Sequence, residues 1–148
     1  MARIVAIDYG IKRTGIAVTD PMQLIATPLQ TVSTDTLLEF LERYTQQQDT
    51  EAFVVGMPRR LDGGLSPMYQ RVCSFKARMQ RVFPHHPIFE QDERYTSKIA
   101  QQNMRYANFS KRHRHSKAHV DVISATIILQ FFLCQSKPGR PHPPHSPY

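Results

Sequence analysis

Four acidic residues stand where a chain could use them for chemistry. Asp8 ends an apolar run, Asp92 and Glu93 follow a second one, and Asp121 opens an apolar helical stretch. Hydrolysis of a phosphodiester needs a nucleophilic water, a stabilised leaving oxygen and neutralised extra charge. Two divalent ions about 4 Å apart do all three. Magnesium and manganese prefer carboxylate oxygens, so such a site needs acids that converge from separate parts of the chain and stand on rigid elements. Each acid also has an ordinary reading. Asp121 could favour the positive end of a helix dipole, Asp8 could be a turn residue, and Asp92 and Glu93 could be solvated loop charges. An acid ending an otherwise apolar strand, as Asp8 does, is the hardest to dismiss.

The elements that must carry these acids read as follows. Residues 3–8 are a short continuous apolar run, suited to a strand covered on both faces. A second stretch, 15–19, follows at hairpin distance, and residues 24–32 read as a third strand, weakened or marked as an edge by Pro28. Thr36 and Glu39 have capping-box spacing, and Leu37, Leu38, Leu41 and Tyr44 share one helical face. Residues 51–56 form another buried-strand pattern, and the polar segment 59–65 a loop. Ser66 and Pro67 then predict a helix start, with Val72, Phe75, Met79 and Val82 as its apolar stripe. Residues 87–91 lead as a short strand into Asp92. Thr96 can cap a polar helix through Met104, and residues 110–117 are a basic loop. The final helix, residues 120–134, should be buried. The expected fold class is α/β: a mixed five-stranded sheet, three strands antiparallel and then two parallel, flanked by helices. Strand ends on one edge of such a sheet would gather Asp8 and the Asp92–Glu93 pair.

Composition bounds the rest. A chain of 148 residues, 41% hydrophobic, fits one domain with a real core. Residues 1–135 are expected to be that domain. Residues 136–148 hold five prolines and no apolar period, and are expected to be a disordered tail. No apolar run suggests a membrane helix, and the acid at position 8 interrupts what a secretory leader would need. Cys73 and Cys134 lie in apolar helical patterns and are expected to be buried thiols in a reducing cytoplasm. A net charge of +7 favours polyanion partners. Asp8, Tyr9 and Gly10 with Gly15 resemble the phosphate loop of actin-like and sugar-kinase ATPases, but that fold needs two large lobes.

Four segments, in order and spacing, resemble the YqgF/RuvX family of Holliday junction resolvase-like nucleases. They are Ile7-Asp8-Tyr9-Gly10 with Lys12, Arg13 and Gly15; Val54-Val55-Gly56-Met57-Pro58 with Asp62 and Gly63; Asp92-Glu93-Arg94-Tyr95-Thr96-Ser97; and His119-Val120-Asp121 with Ser124, Ala125, Ile127, Ile128 and Leu129. The likeness spans about residues 3–135. It implies an RNase H-like fold, a cytoplasmic hydrolase acting on phosphodiester bonds, and a role in maturing the 5′ end of precursor 16S ribosomal RNA during ribosome biogenesis. It also implies metal-binding, catalytic acids at Asp8, the Asp92–Glu93 pair and Asp121, holding Mg2+ or Mn2+. Within the pair Glu93 is favoured, because neighbours on a strand extension point to opposite faces and one of them enters the site.

Lys12, Arg13, Arg94, Lys111 and Arg112 are the candidate nucleic-acid contacts. Lys12 and Arg13 follow the first acid and could meet the phosphate backbone, or could simply be a solvated hairpin tip. Arg94 could hold a phosphate bidentately or orient the acids. Lys111 and Arg112, with Arg114, could clamp substrate from the basic loop. His113 and His115 lack a third metal partner. The expected partner is nucleic acid, precursor ribosomal RNA first, with the protein a monomer or weak dimer. Rival readings are a DNA nuclease selective for four-way junctions, and a non-catalytic RNA-binding assembly factor.

Overall fold

The central strand of the sheet is the most apolar run of the N-terminal half. β1 (Arg3–Asp8) carries Ile4, Val5, Ala6 and Ile7, each 4% exposed or less. The computed structural model describes residues 2–58, 66–93 and 117–135, with backbone alone for 117–120. β1 pairs antiparallel with β2 (Arg13–Thr19), which pairs antiparallel with β3 (Ala26–Ser33). On its other side β1 pairs parallel with β4 (Thr50–Met57), and β4 pairs parallel with β5 (Ile88–Asp92). The spatial order is β3-β2-β1-β4-β5, the mixed sheet that the sequence predicts.

Alternation along the strands divides the core into two layers. Val5, Ile7, Ile16, Val18, Phe53 and Val55 face α1 (Leu37–Gln47) and α2 (Tyr69–Val82). Ile4, Ala6, Ala17 and Val54 face α3 (Lys117–Gln135) through Ala125, Ile128, Leu129 and Phe132. Ala6, Ala17 and Ala125 are the small side chains of this second layer. Fully burying a residue the size of Phe53 or Leu129 contributes roughly 1.5–3 kcal/mol.

Several boundaries differ from the sequence expectation, each for a local reason. β3 starts at Ala26, not at residue 24. The Asp20 carboxylate accepts the N–H groups of Met22, Leu24 and Ile25 at 3.0, 2.8 and 2.7 Å, and holds residues 20–25 as a turn. Pro28 does lie on an edge strand: the pairing with β2 shifts register between Ile16 and Ala17, opposite Pro28. A single 3-10 turn, Thr34–Thr36, precedes α1, and the Thr36 side chain makes no cap hydrogen bond there. α2 begins at Tyr69, whose N–H donates to Ser66 O, so Ser66 and Pro67 form a preceding turn rather than the helix start. Val82 is 37% exposed, and Phe83, 5% exposed, completes the buried stripe instead.

Both cysteines are exposed, contrary to expectation. Cys73 follows the buried Val72 by one helical step, about 100° around the axis, which carries it off the stripe of Val72, Phe75 and Met79. Cys134 lies beyond the buried segment of α3, which is itself buried on one side only: Phe131 is 37% exposed. α3 begins at Lys117, earlier than the expected residue 120, and its first turn holds no acid. The expected loop at 59–65, helix at 96–104 and tail at 136–148 lie outside the described residues, as does the expected basic loop at 110–117 except Lys117, which belongs to α3. Among the described residues no helix is long and apolar enough to cross a membrane.

Candidate active site

Asp8 belongs to the same alternating set as Ile4 and Ala6, so it emerges on the α3 face of the sheet. Its partner across the antiparallel ladder is Gly15. A Cβ at Gly15 would overlap the backbone carbonyl of Asp121. The absence of a side chain there lets α3 settle on β2 and brings Asp121 beside Asp8. On the other side, Ile7 pairs with Val55, which places Gly56 next to Asp8. A Cβ at Gly56 would overlap the Glu93 carboxylate and crowd the Ile128 side chain. Two strand glycines thus open the floor into which two acids fit.

Glu93 extends β5 by one residue. Its N–H donates to Met57 O at 3.2 Å, which continues the ladder. Phe89, two pairs earlier in the alternation, stacks on Phe132 of α3 with ring centroids 5.2 Å apart. Glu93 therefore shares the α3 face. Asp92 sits opposite Met57, a residue of the other core layer. The alternation argument for Glu93 over Asp92 accordingly matches the geometry, and the structure brings Asp8, Glu93 and Asp121 to one face at the end of the central strands.

The acids perturb one another. Loss of water around Asp8, and then the charge of Asp121, raise its carboxyl to about 7. Glu93 is raised to about 9, first by burial and then by the charges of Asp8 and Asp92. Glu93 Oε2 is buried and has no hydrogen-bond partner among the described residues. A buried carboxylate oxygen without a donor is costly unless a proton or a cation serves it. This oxygen, with the raised Asp8 carboxyl beside it, fits a divalent cation, for which carboxylates are the preferred donors. Among the described residues no three Asp, Glu, His or Cys side chains are already closed round one point as a finished metal site.

Asp121 is also held from the sheet. Arg13 Nε lies 3.4 Å from Asp121 Oδ2, with the two side chains 42% and 26% exposed. Arg13 is thus engaged with an acid, which the sequence expectation of a phosphate contact or a solvated tip does not include. Because α3 starts a full turn before Asp121, the dipole reading of this residue loses its basis, as that effect fades within the first turn.

The hairpin loop after Asp8 is fixed by threonines that lie outside the acidic and basic motifs. The Thr34 hydroxyl donates to Gly10 O at 2.7 Å, lies 2.9 Å from the Thr14 hydroxyl, and the Thr34 N–H donates to Lys12 O at 3.0 Å. Tyr9 turns to the opposite layer and stacks on Phe75, centroids 4.7 Å apart. Buried Thr14 inside an apolar strand was the available signal. Lys12 is exposed at the loop tip. Arg94, Lys111 and Arg112 lie outside the described residues.

Comparison with known proteins agrees with this architecture. Residues 2–135 match the family described as RuvX: Holliday junction resolvase. A protein of Amoebophilus asiaticus named "Putative pre-16S rRNA nuclease" is 47% identical over 137 residues, covering 93% of this chain and 97% of that protein. Proteins of the same name from Porphyromonas gingivalis, 47% identical over 133 residues, and Flavobacterium johnsoniae, 43% identical over 137, cover 90% and 93% of this chain and 96% and 99% of their own lengths. Among solved structures, Thermus thermophilus RuvC in complex with a Holliday junction substrate superposes with a TM-score of 0.53 at 14% identity. That match covers 90% of this chain and 96% of RuvC; at such identity it speaks for the RNase H-like fold alone. With four motifs in order, a mixed sheet of this topology and a family match across nearly all of its described length, the chain belongs to the RuvX family.

Proposed function

We propose that this chain is a divalent-metal-dependent nuclease that processes the 5′ end of precursor 16S ribosomal RNA in the cytoplasm, with Asp8, Glu93 and Asp121 as its catalytic acids. The observation that carries the reading is the convergence of these acids at one sheet edge, with a buried Glu93 oxygen that has no hydrogen-bond partner among the described residues. The names of the relatives supply the substrate class.

Bound Mg2+ or Mn2+ would activate water and offset charge on the phosphate. The chain's own residues set the rest. β1 and β5 hold Asp8 and Glu93 on rigid backbone, and Gly15 lets α3 deliver Asp121 against them. The raised carboxyls of Asp8 and Glu93 keep protons in the ion-free protein, so ion binding would release protons and weaken as pH falls. Lys12, exposed on the braced hairpin loop, and Arg94, Lys111 and Arg112 would supply contacts to the phosphate backbone.

The test is purified protein with Mg2+ or Mn2+, offered precursor 16S ribosomal RNA and a synthetic four-way DNA junction side by side. Cleavage near the 5′ end of the mature RNA, with the junction left intact, is expected. Preferential junction cleavage would make the chain a DNA nuclease at the same acids. RNA binding without cleavage of either would make it an assembly factor.

A further inference from the structure

Arg13 occupies the position where a metal-free acid cluster needs a cation. It stands at the start of β2, two residues before Gly15 on the same face, and reaches Asp121 across 108 positions of sequence. Of the three acids, Asp121 is the one met by a guanidinium, with 26% of its side chain exposed. The contact is through Nε at 3.4 Å, longer than the roughly 2.7–2.9 Å of a strong charge-assisted bond and without the bidentate fork that arginine makes with carboxylates when it is locked in place. A half-exposed pair of this kind adds little to stability and separates easily.

We infer that Arg13 is a stand-in cation for Asp121 in the ion-free protein, displaced when a divalent ion takes that carboxylate and thereby released to grip the phosphate backbone beside the site. The inference rests on the metal-site reading above and adds a coupling to it. A guanidinium and a divalent ion brought to the same Asp121 carboxylate repel each other, so each weakens the other's hold. Ion loading would convert Arg13 from an internal partner into an external phosphate contact.

The experiment titrates Mn2+ into metal-free full-length protein at neutral pH by calorimetry, for the unsubstituted chain, Arg13→Gln, Arg13→Lys and Lys76→Gln. Lys76 pairs with Glu90 at 2.7 Å away from the acids, and its substitution removes the same unit of net charge. Arg13→Gln should bind Mn2+ about threefold to tenfold more tightly, the size of one unit-charge repulsion at close range. Arg13→Lys, which keeps the charge, should fall between it and the unsubstituted chain, and Lys76→Gln should stay within about twofold. In binding to a short single-stranded RNA, adding Ca2+ should steepen the log–log salt slope by about 0.7, one phosphate contact, in the unsubstituted chain and not in Arg13→Gln. Unchanged or weaker Mn2+ binding by Arg13→Gln would overturn the inference, since Arg13 would then be orienting Asp121 rather than substituting for the ion. No saturable Mn2+ binding by the unsubstituted chain would overturn the metal-site reading itself, and the inference with it.

Discussion

Asp8→Asn should stabilise the metal-free protein at alkaline pH while abolishing its chemistry. The substitution keeps the shape of the side chain and removes its charge. In the native protein the Asp8 carboxyl is raised from 3.8 to about 7 by burial and by Asp121. The sign follows from proton linkage. Below about pH 4 both folded and unfolded chains hold this proton, and Asp8 makes no pH-dependent difference. As pH rises toward 7 the unfolded chain releases the proton and the native chain keeps it, so stability falls until the native carboxyl also ionises. A shift of about three units corresponds to at most about 4 kcal/mol. Because Asp8 and Glu93 interact, the removable part is on the order of 1–3 kcal/mol. The assay is urea or thermal unfolding in a chelator, at about pH 4 and about pH 8. Asparagine should be nearly neutral at the lower pH and stabilising at the higher, and added Mn2+ should stabilise the unsubstituted chain more than the variant. Equal effects at both pH values, or destabilisation at the higher one, would refute the account of strained acids.

Other outcomes follow from the same geometry. Gly15→Ala should cost about 2 kcal/mol or more in chemical unfolding, because its Cβ meets the Asp121 backbone, which cannot yield as a flexible side-chain tip can. Gly56→Ala should impair cleavage through the displaced Glu93 carboxylate, with a smaller loss of stability if Ile128 rotates away; intact cleavage with Glu93 still required would contradict that packing. Affinity for RNA should fall steeply with salt, as a net charge of +7 and counterion release require, and a flat log–log plot by filter binding would contradict this. Removal of residues 136–148 should leave the melting temperature nearly unchanged; a cooperative loss on calorimetry would show that they pack on the domain.

The sheet and two of the acids were legible because strand signals are local. An apolar run ending in an acid marks β1 and Asp8, and alternation along β5 separates Glu93 from Asp92 without knowledge of tertiary contacts. What escaped depends on approach between distant segments. No local pattern announces that Arg13 meets Asp121, since the two are 108 positions apart. The roles of Gly15 and Gly56 are set by what packs over them, not by their own strands. Lys117 and His119 carry no apolar signal, so the sequence pattern starts α3 too late and puts Asp121 at a helix end that it does not occupy. The apolar pattern does not place Cys73, because one helical step from a buried valine is already another face.

The claim that three converging acids run the chemistry is tested most directly by metal-dependent cleavage of precursor 16S ribosomal RNA, with Glu93→Gln and Asp92→Asn compared on matched, folded preparations. The account predicts a loss of at least about a hundredfold for Glu93→Gln, since the position of the ions governs the barrier, and a change within a few fold for Asp92→Asn. Full activity in Glu93→Gln, whatever the behaviour of Asp92→Asn, would contradict it.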